Sequence, residues 1–103
     1  MEKRKEPRFR TQFDALFSTG PAEGAGLLVD LSYSGAHIEA ASLRPEIGTL
    51  VRLYVFVQPV APFQIEGHVA RTTESGFAMI YSVDNPEMRR LVDDVSAIVA
   101  APV

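Results

Sequence analysis

The chain contains no cysteine. That absence excludes disulfides and every thiolate-ligated zinc site, so no staple of either kind supports the fold. No apolar run approaches the roughly 20 residues that cross a bilayer as a helix. The N-terminal Met1-Glu2-Lys3-Arg4-Lys5-Glu6 is charged where a secretory leader turns apolar. The expected location is the cytoplasm, without membrane insertion. There are two histidines, His37 and His68, and no second histidine or carboxylate stands at a helical ligand spacing, so no metal site is expected. What is present is 103 residues, 47% hydrophobic and 22% charged, with seven glycines and seven prolines. This is enough apolar material for one core and too little length for a second domain.

Positive charge is thin everywhere but at the start. Residues 1–10 hold five of the ten basic residues, Lys3, Arg4, Lys5, Arg8 and Arg10, against Glu2 and Glu6. With a net charge of −3, a segment of +3 is therefore joined to a body of −6. The segment reads either as a solvated terminus or as an anion-binding arm. An acidic body without basic residues interleaved with aromatics on one sheet face argues against a nucleic-acid-binding barrel.

From Thr11 onward, short apolar runs are separated by turn residues about every ten positions, the pattern of an antiparallel sandwich or barrel. Six strands are expected. The first spans Arg10 to Ser18 and ends at Thr19-Gly20-Pro21; Ala22-Glu23-Gly24-Ala25 has too few large apolar groups to pack and reads as a loop. Gly26 to Leu31 is the second. In the third, Ala36, Ile38 and Ala40 share one face, with His37 and Glu39 on the other. Leu50 to Val57 is β-branched and aromatic, and Gln58-Pro59-Val60-Ala61-Pro62 breaks it. Phe63 to Thr73 places Phe63, Ile65, Gly67 and Val69 on one face, with Gln64, Glu66 and His68 on the other, and pairs with Gly76 to Tyr81. The period then changes. Asp84 or Asn85 caps a helix that opens on Pro86 and Glu87 and carries one apolar stripe, Met88, Leu91, Val92, Val95, Ile98 and Val99. Such a stripe docks on the sheet, closes a barrel mouth or serves a partner subunit.

Catalytic candidates are few. Ser32 and Ser34 lack the glycine that precedes a nucleophile-elbow serine, Asp93-Asp94 falls on the polar face of the helix, and no glycine-rich phosphate loop precedes a helix. Two features remain. Arg4 and Arg8 stand four apart on a chain that Pro7 holds extended, separated by up to roughly 13–14 Å. Their planar guanidiniums suit bidentate pairing with phosphate or with the O6/N7 edge of guanine. Asp30-x-Ser32-x-x-Gly35 stands at a strand end. Asp30 and Ser32 share a face, where a carboxylate accepts from guanine N1–H and N2–H and a hydroxyl donates or accepts. Gly35 permits a positive φ and a close backbone approach. Alone, the second motif reads as readily as an Asx or Ser turn closing a hairpin. Together the two describe a pocket for an anionic, guanine-containing ligand.

At these residues the sequence resembles the PilZ domain family of cyclic di-GMP receptors. The resemblance covers nearly the whole chain: Arg4 and Arg8, then Asp30, Ser32 and Gly35, the Gly67-x-Val69-x-Arg71 strand, and Gly76-Phe77-Ala78-Met79-Ile80-Tyr81. It implies an all-β fold with a C-terminal helix, a six-stranded antiparallel PilZ-type barrel over residues 11–83, a flexible switch arm at 1–10 and the helix at 84–100. It further implies a bound ligand, cyclic di-GMP, with no cofactor and no reaction. Arg4 and Arg8 would clasp guanine edges and phosphates over a floor formed by Asp30, Ser32 and Gly35, and Lys3 and Arg10 are further candidate contacts. Many members carry an arginine where Lys3 stands, which leaves open one ligand or an intercalated pair. Binding would draw the arm onto the barrel and create a surface for a downstream protein partner of a monomer or homodimer. The alternative is a PilZ-like interaction module that does not bind nucleotide.

Overall fold

Alternation, turn residues and a terminal stripe become six strands and one helix in the computed structural model, which describes residues 9–57, 62–81 and 86–99. The strands are β1 (Phe9–Ser18), β2 (Glu23–Leu31), β3 (Gly35–Glu39), β4 (Leu50–Phe56), β5 (Phe63–Thr72) and β6 (Phe77–Tyr81), followed by helix α1 (Pro86–Val99). All neighbours are antiparallel, in the order β1-β2-β3-β6-β5-β4, and β4 pairs back onto β1 to close a barrel. Local hairpins supply β1–β2, β2–β3, β4–β5 and β5–β6. Closure depends on the two pairings remote in sequence, β3 with β6 and β1 with β4.

Every second residue points inward, so the interior is filled from all six strands: Ala15 and Phe17, Leu28 and Leu31, Ala36 and Ile38, Val51, Leu53 and Val55, Ile65 and Val69, Phe77 and Met79. Phe17 meets Phe77 edge to face with ring centroids 5.1 Å apart, a geometry worth about 0.5–1.5 kcal/mol beyond area burial. Leu28 and Leu31 are three apart and both buried, which strict alternation forbids. An extra residue in β2, between the pairs Leu28↔Ile38 and Asp30↔His37, resolves the conflict. Helix α1 rests against β1, with Val92 and Val95 buried and Leu91 half-buried on the core. Burial of each valine contributes about 1.5–3 kcal/mol.

Three expectations change in detail. The run Ala22 to Ala25, read as a loop, gives its last three residues to β2, which begins at Glu23. Its small residues are needed there: Phe17 lies opposite Gly24, and a Cβ on Gly24 would sit 2.5 Å from the Phe17 ring. Ala40, expected to share the buried face of Ala36 and Ile38, is exposed and leaves the sheet with φ 53°. The chain turns there so that the Ala41 amide reaches the Ser75 carbonyl and the Ser42 amide the Ala25 carbonyl, both at 2.8 Å. Finally, β1 starts at Phe9, so Arg10 belongs to the barrel wall. The break at 58–61, the cap at Asp84 or Asn85, and the side chains of Met88, Ile98 and Val99 lie outside the described residues.

Candidate functional site

The segment that joins β2 to β3 carries the Asp30-x-Ser32-x-x-Gly35 motif, and its shape is fixed by its own hydrogen bonds. The Ser32 amide donates to the Gly35 carbonyl (2.9 Å). In return, the Ser32 Oγ accepts from the amides of Gly35 (3.2 Å) and Ser34 (3.3 Å) and lies 3.4 Å from the Gly35 carbonyl. Ser32 is buried, and its hydroxyl is spent on the turn. From β6, the largely buried Tyr81 hydroxyl reaches both the Ser32 carbonyl (2.7 Å) and the Gly35 carbonyl (2.9 Å), and the Tyr81 amide donates to Ser34 (3.0 Å). The turn is thus pinned to the barrel from below.

Gly35 does not have the positive φ expected of it; among the glycines only Gly20 and Gly48 do. The close approach it allows is to its own fold. A Cβ at Gly35 would lie 2.3 Å from the Met79 carbonyl oxygen of β6, a distance no side chain tolerates. Gly35 is therefore required by strand packing, and it also lines the smaller of the clefts described below.

Asp30 behaves differently. It sits half-exposed on the outer wall between Arg10 of β1 and His37 of β3. Two clefts meet at Asp30 and His37. The larger, about 670 Å³, is lined by Arg10, Thr11, Gln12, Phe13 and Val29 as well. The smaller, about 320 Å³, runs over the turn and is walled by Ser32, Ser34, Gly35, Ala70, Arg71 and Ala78, among others. Both clefts open where the wall is irregular, because β1 carries an extra residue between Arg10 and Phe13 and β2 one between Leu28 and Asp30. Buried Thr11 stabilises this irregularity by donating from Oγ1 to the Leu28 carbonyl at 2.5 Å.

The structure thus brings Asp30, Ser32, Gly35 and Arg10 together, while Lys3, Arg4 and Arg8 lie outside the described residues. It adds two side chains that the sequence reading left out of the site. His37 appeared only as a residue of a polar strand face; its Nε2 lies 2.6 Å from Glu39 Oε2. Arg71 appeared only within a strand motif. No period-2 argument could place it on the cleft that Asp30 lines, since β5 has its own extra residue between Val69 and Arg71.

A further tether ties the turn to the helix. Tyr33, at the middle of the motif, donates its hydroxyl to Asp93 Oδ1 of α1, and the Arg89 guanidinium lies 5.0 Å from the Tyr33 ring centroid. The hydrogen bond to Asp93 raises the Tyr33 pKa above the usual phenol range, because the proton is needed to make it. Among the described residues no cluster of three or more histidines and carboxylates suits a metal, and no helix is long and apolar enough to cross a membrane.

A closed six-stranded antiparallel barrel, with this motif at the β2–β3 junction and a C-terminal helix, is the architecture of a PilZ-type domain. The chain belongs to that family: the PilZ domain model matches residues 2–97. No curated protein matches the chain. Among solved structures it is similar to the PilZ domain of YcgR from Escherichia coli with c-di-GMP, at 12% identity and TM-score 0.83, covering 95% of this chain and 92% of that one. It is also similar to the PilZ domain of CeSA from a cellulose-synthesizing bacterium, at 17% identity and TM-score 0.71, covering 86% and 97%. The Bacillus subtilis inhibitor of motility MotI/DgrA matches at 16% identity and TM-score 0.72 over 95% of this chain, which spans about half (51%) of that protein. At these identities the likeness is one of fold.

Proposed function

We propose that the chain is a non-enzymatic receptor for cyclic di-GMP that changes conformation on binding and signals through a protein partner. The observation that carries this reading is the placement of Asp30. A half-exposed carboxylate stands at the meeting of two clefts, at the end of β2 beside a turn whose shape the other motif residues hold. Such a carboxylate accepts the paired N–H groups of guanine, and the Arg10 guanidinium, which has no partner among the described residues, lines the larger cleft, suited to phosphate. Family membership and the c-di-GMP-bound YcgR domain support the choice of ligand. Arg4 and Arg8 supply the remaining clasp from the N-terminal arm, closing over the clefts once ligand is present. Arm closure alters the outer surface, and that altered surface is what the partner reads.

Calorimetric titration of the protein with cyclic di-GMP at near-physiological salt tests the reading, with GMP and cyclic di-AMP as controls. The expected result is saturable, guanine-selective binding that the Arg4→Ala/Arg8→Ala double variant loses. Absence of heat and of competition at high ligand concentration would overturn it and leave a PilZ fold that acts by protein contact alone.

A further inference from the structure

Five strands contribute one residue each to a single row across the outer wall. Arg10 lies opposite Asp30, Asp30 opposite His37, His37 opposite Ala78, and Ala78 opposite Arg71. At about 4.8 Å per strand step, the row runs about 19 Å along the curved wall from one arginine backbone to the other, with the carboxylate between them. The row exists because of irregularities in the wall. After the inward pair Val69 and Met79, plain alternation would bring Ala70 opposite Ala78 and turn Arg71 toward the core. The extra residue in β5 moves Arg71 outward, and the extra residues in β1 and β2 adjoin the row at Arg10 and Asp30.

The cations of the row are also uncommitted. Arg44 donates to the Thr73 carbonyl, Arg52 pairs with Glu66 and Arg89 lies over Tyr33. Arg10 and Arg71 have no such partner among the described residues, and both are exposed. Beside Arg71 the wall is cut low by the methyl groups of Ala70 and Ala78, which floor the smaller cleft. An apolar floor edged by a guanidinium on one side, and by His37 and then the Asp30 carboxylate on the other, suits a guanosine phosphate. The ring lies on the methyls, its N–H edge faces Asp30, and Arg71 takes the phosphate or stacks.

We propose that Arg71 is a ligand-binding residue, a cation borne by the barrel itself that holds one guanosine phosphate half of the dinucleotide in the cleft over the Asp30–Gly35 turn. This rests on the cyclic di-GMP reading and gives it a division of labour. Arg71 and Asp30 form a rigid half-site, ready before the arm closes, and Arg10 flanks Asp30 on the other side for the other half.

The test is titration of the full chain with cyclic di-GMP, comparing wild type, Arg71→Ala, Arg71→Lys, Ala78→Leu and the control Arg90→Ala, an exposed residue of α1, which contributes no residue to the row. Arg71→Ala is expected to weaken binding at least about tenfold, by loss of a charge-assisted contact. Arg71→Lys should weaken it less, Ala78→Leu should weaken it by filling the floor, and Arg90→Ala should leave it unchanged. Thermal melts verify that the variants fold. In wild type, the Arg71 Nε–Hε resonance should shift on ligand addition, a readout that needs no variant. Binding by Arg71→Ala within twofold of wild type, or an Arg71 resonance that does not move while the ligand saturates, overturns the role of Arg71 and leaves the receptor reading standing. Absence of binding by wild type overturns both.

Discussion

The β2–β3 turn and the wall beside it are built on opposite terms. In the turn, polar groups are spent on holding the chain: the Ser32 hydroxyl on two amides, the Tyr81 hydroxyl on two carbonyls, and the missing side chain of Gly35 on the Met79 carbonyl. On the wall, the guanidiniums of Arg10 and Arg71 are exposed beside open clefts and hold nothing among the described residues. One six-residue motif crosses this boundary. Its serine and glycine build the scaffold and line only the smaller cleft, while its aspartate stands where both clefts meet. A motif read as a set of ligand contacts is therefore also a recipe for presenting one carboxylate.

The contrast can be broken by substitution, and the largest effect is expected at Gly35. A Cβ there meets backbone, which cannot swing aside, so Gly35→Ala should cost about 2–3 kcal/mol in urea unfolding and reduce ligand binding along with it. A Gly35→Ala protein that melts like wild type yet fails to bind would place Gly35 with the contacts after all. Asp30→Ala should weigh the other way, lowering the melting temperature less than Gly35→Ala does while weakening cyclic di-GMP binding roughly ten- to a hundredfold, the worth of hydrogen bonds to a charged acceptor. Ser32→Ala falls between. Loss of its turn bonds should lower stability by about 1 kcal/mol, and binding should fall less than for Asp30→Ala.

The smallest effect sharpens the comparison at its third member, the tether from Tyr33 to α1. Tyr33→Phe keeps the ring under Arg89 but removes the hydrogen bond to Asp93, so amide exchange in α1 should quicken with little change in melting temperature. Because the folded phenol titrates above its usual value, the tether contributes fully below the ordinary phenol pKa and is lost as pH rises through the raised one. Ultraviolet difference titration of wild type against Tyr33→Phe should show that one phenol ionising late. An unshifted tyrosine would mean that the hydrogen bond does not persist in solution.

Much of the barrel was legible in the sequence because period-2 burial leaves a direct trace. Phe63, Ile65, Gly67 and Val69 alternate inward as written, and Leu91, Val92 and Val95 form the helix face that meets the core. What escaped the sequence was whatever depends on a partner strand. Glu23-Gly24-Ala25 looks like loop until the Phe17 ring is placed opposite Gly24. Ala40 looks buried until Ala41 is seen to turn toward Ser75. The neighbourhood of Asp30 was half legible: its motif marked the turn, but Arg71 reaches the same cleft only through an extra residue in β5, and such slips leave no signature in hydrophobic spacing.

Because β4 returns to β1, each described strand has a neighbour on both sides. The wall therefore offers no open edge to which a foreign strand could add, the commonest backbone route to both peptide capture and aggregation. Whatever docks on this barrel must recognise side chains on its outer faces, its end loops or its helix. Its specificity is thus written in surface chemistry that single substitutions can rewrite without disturbing the ring beneath.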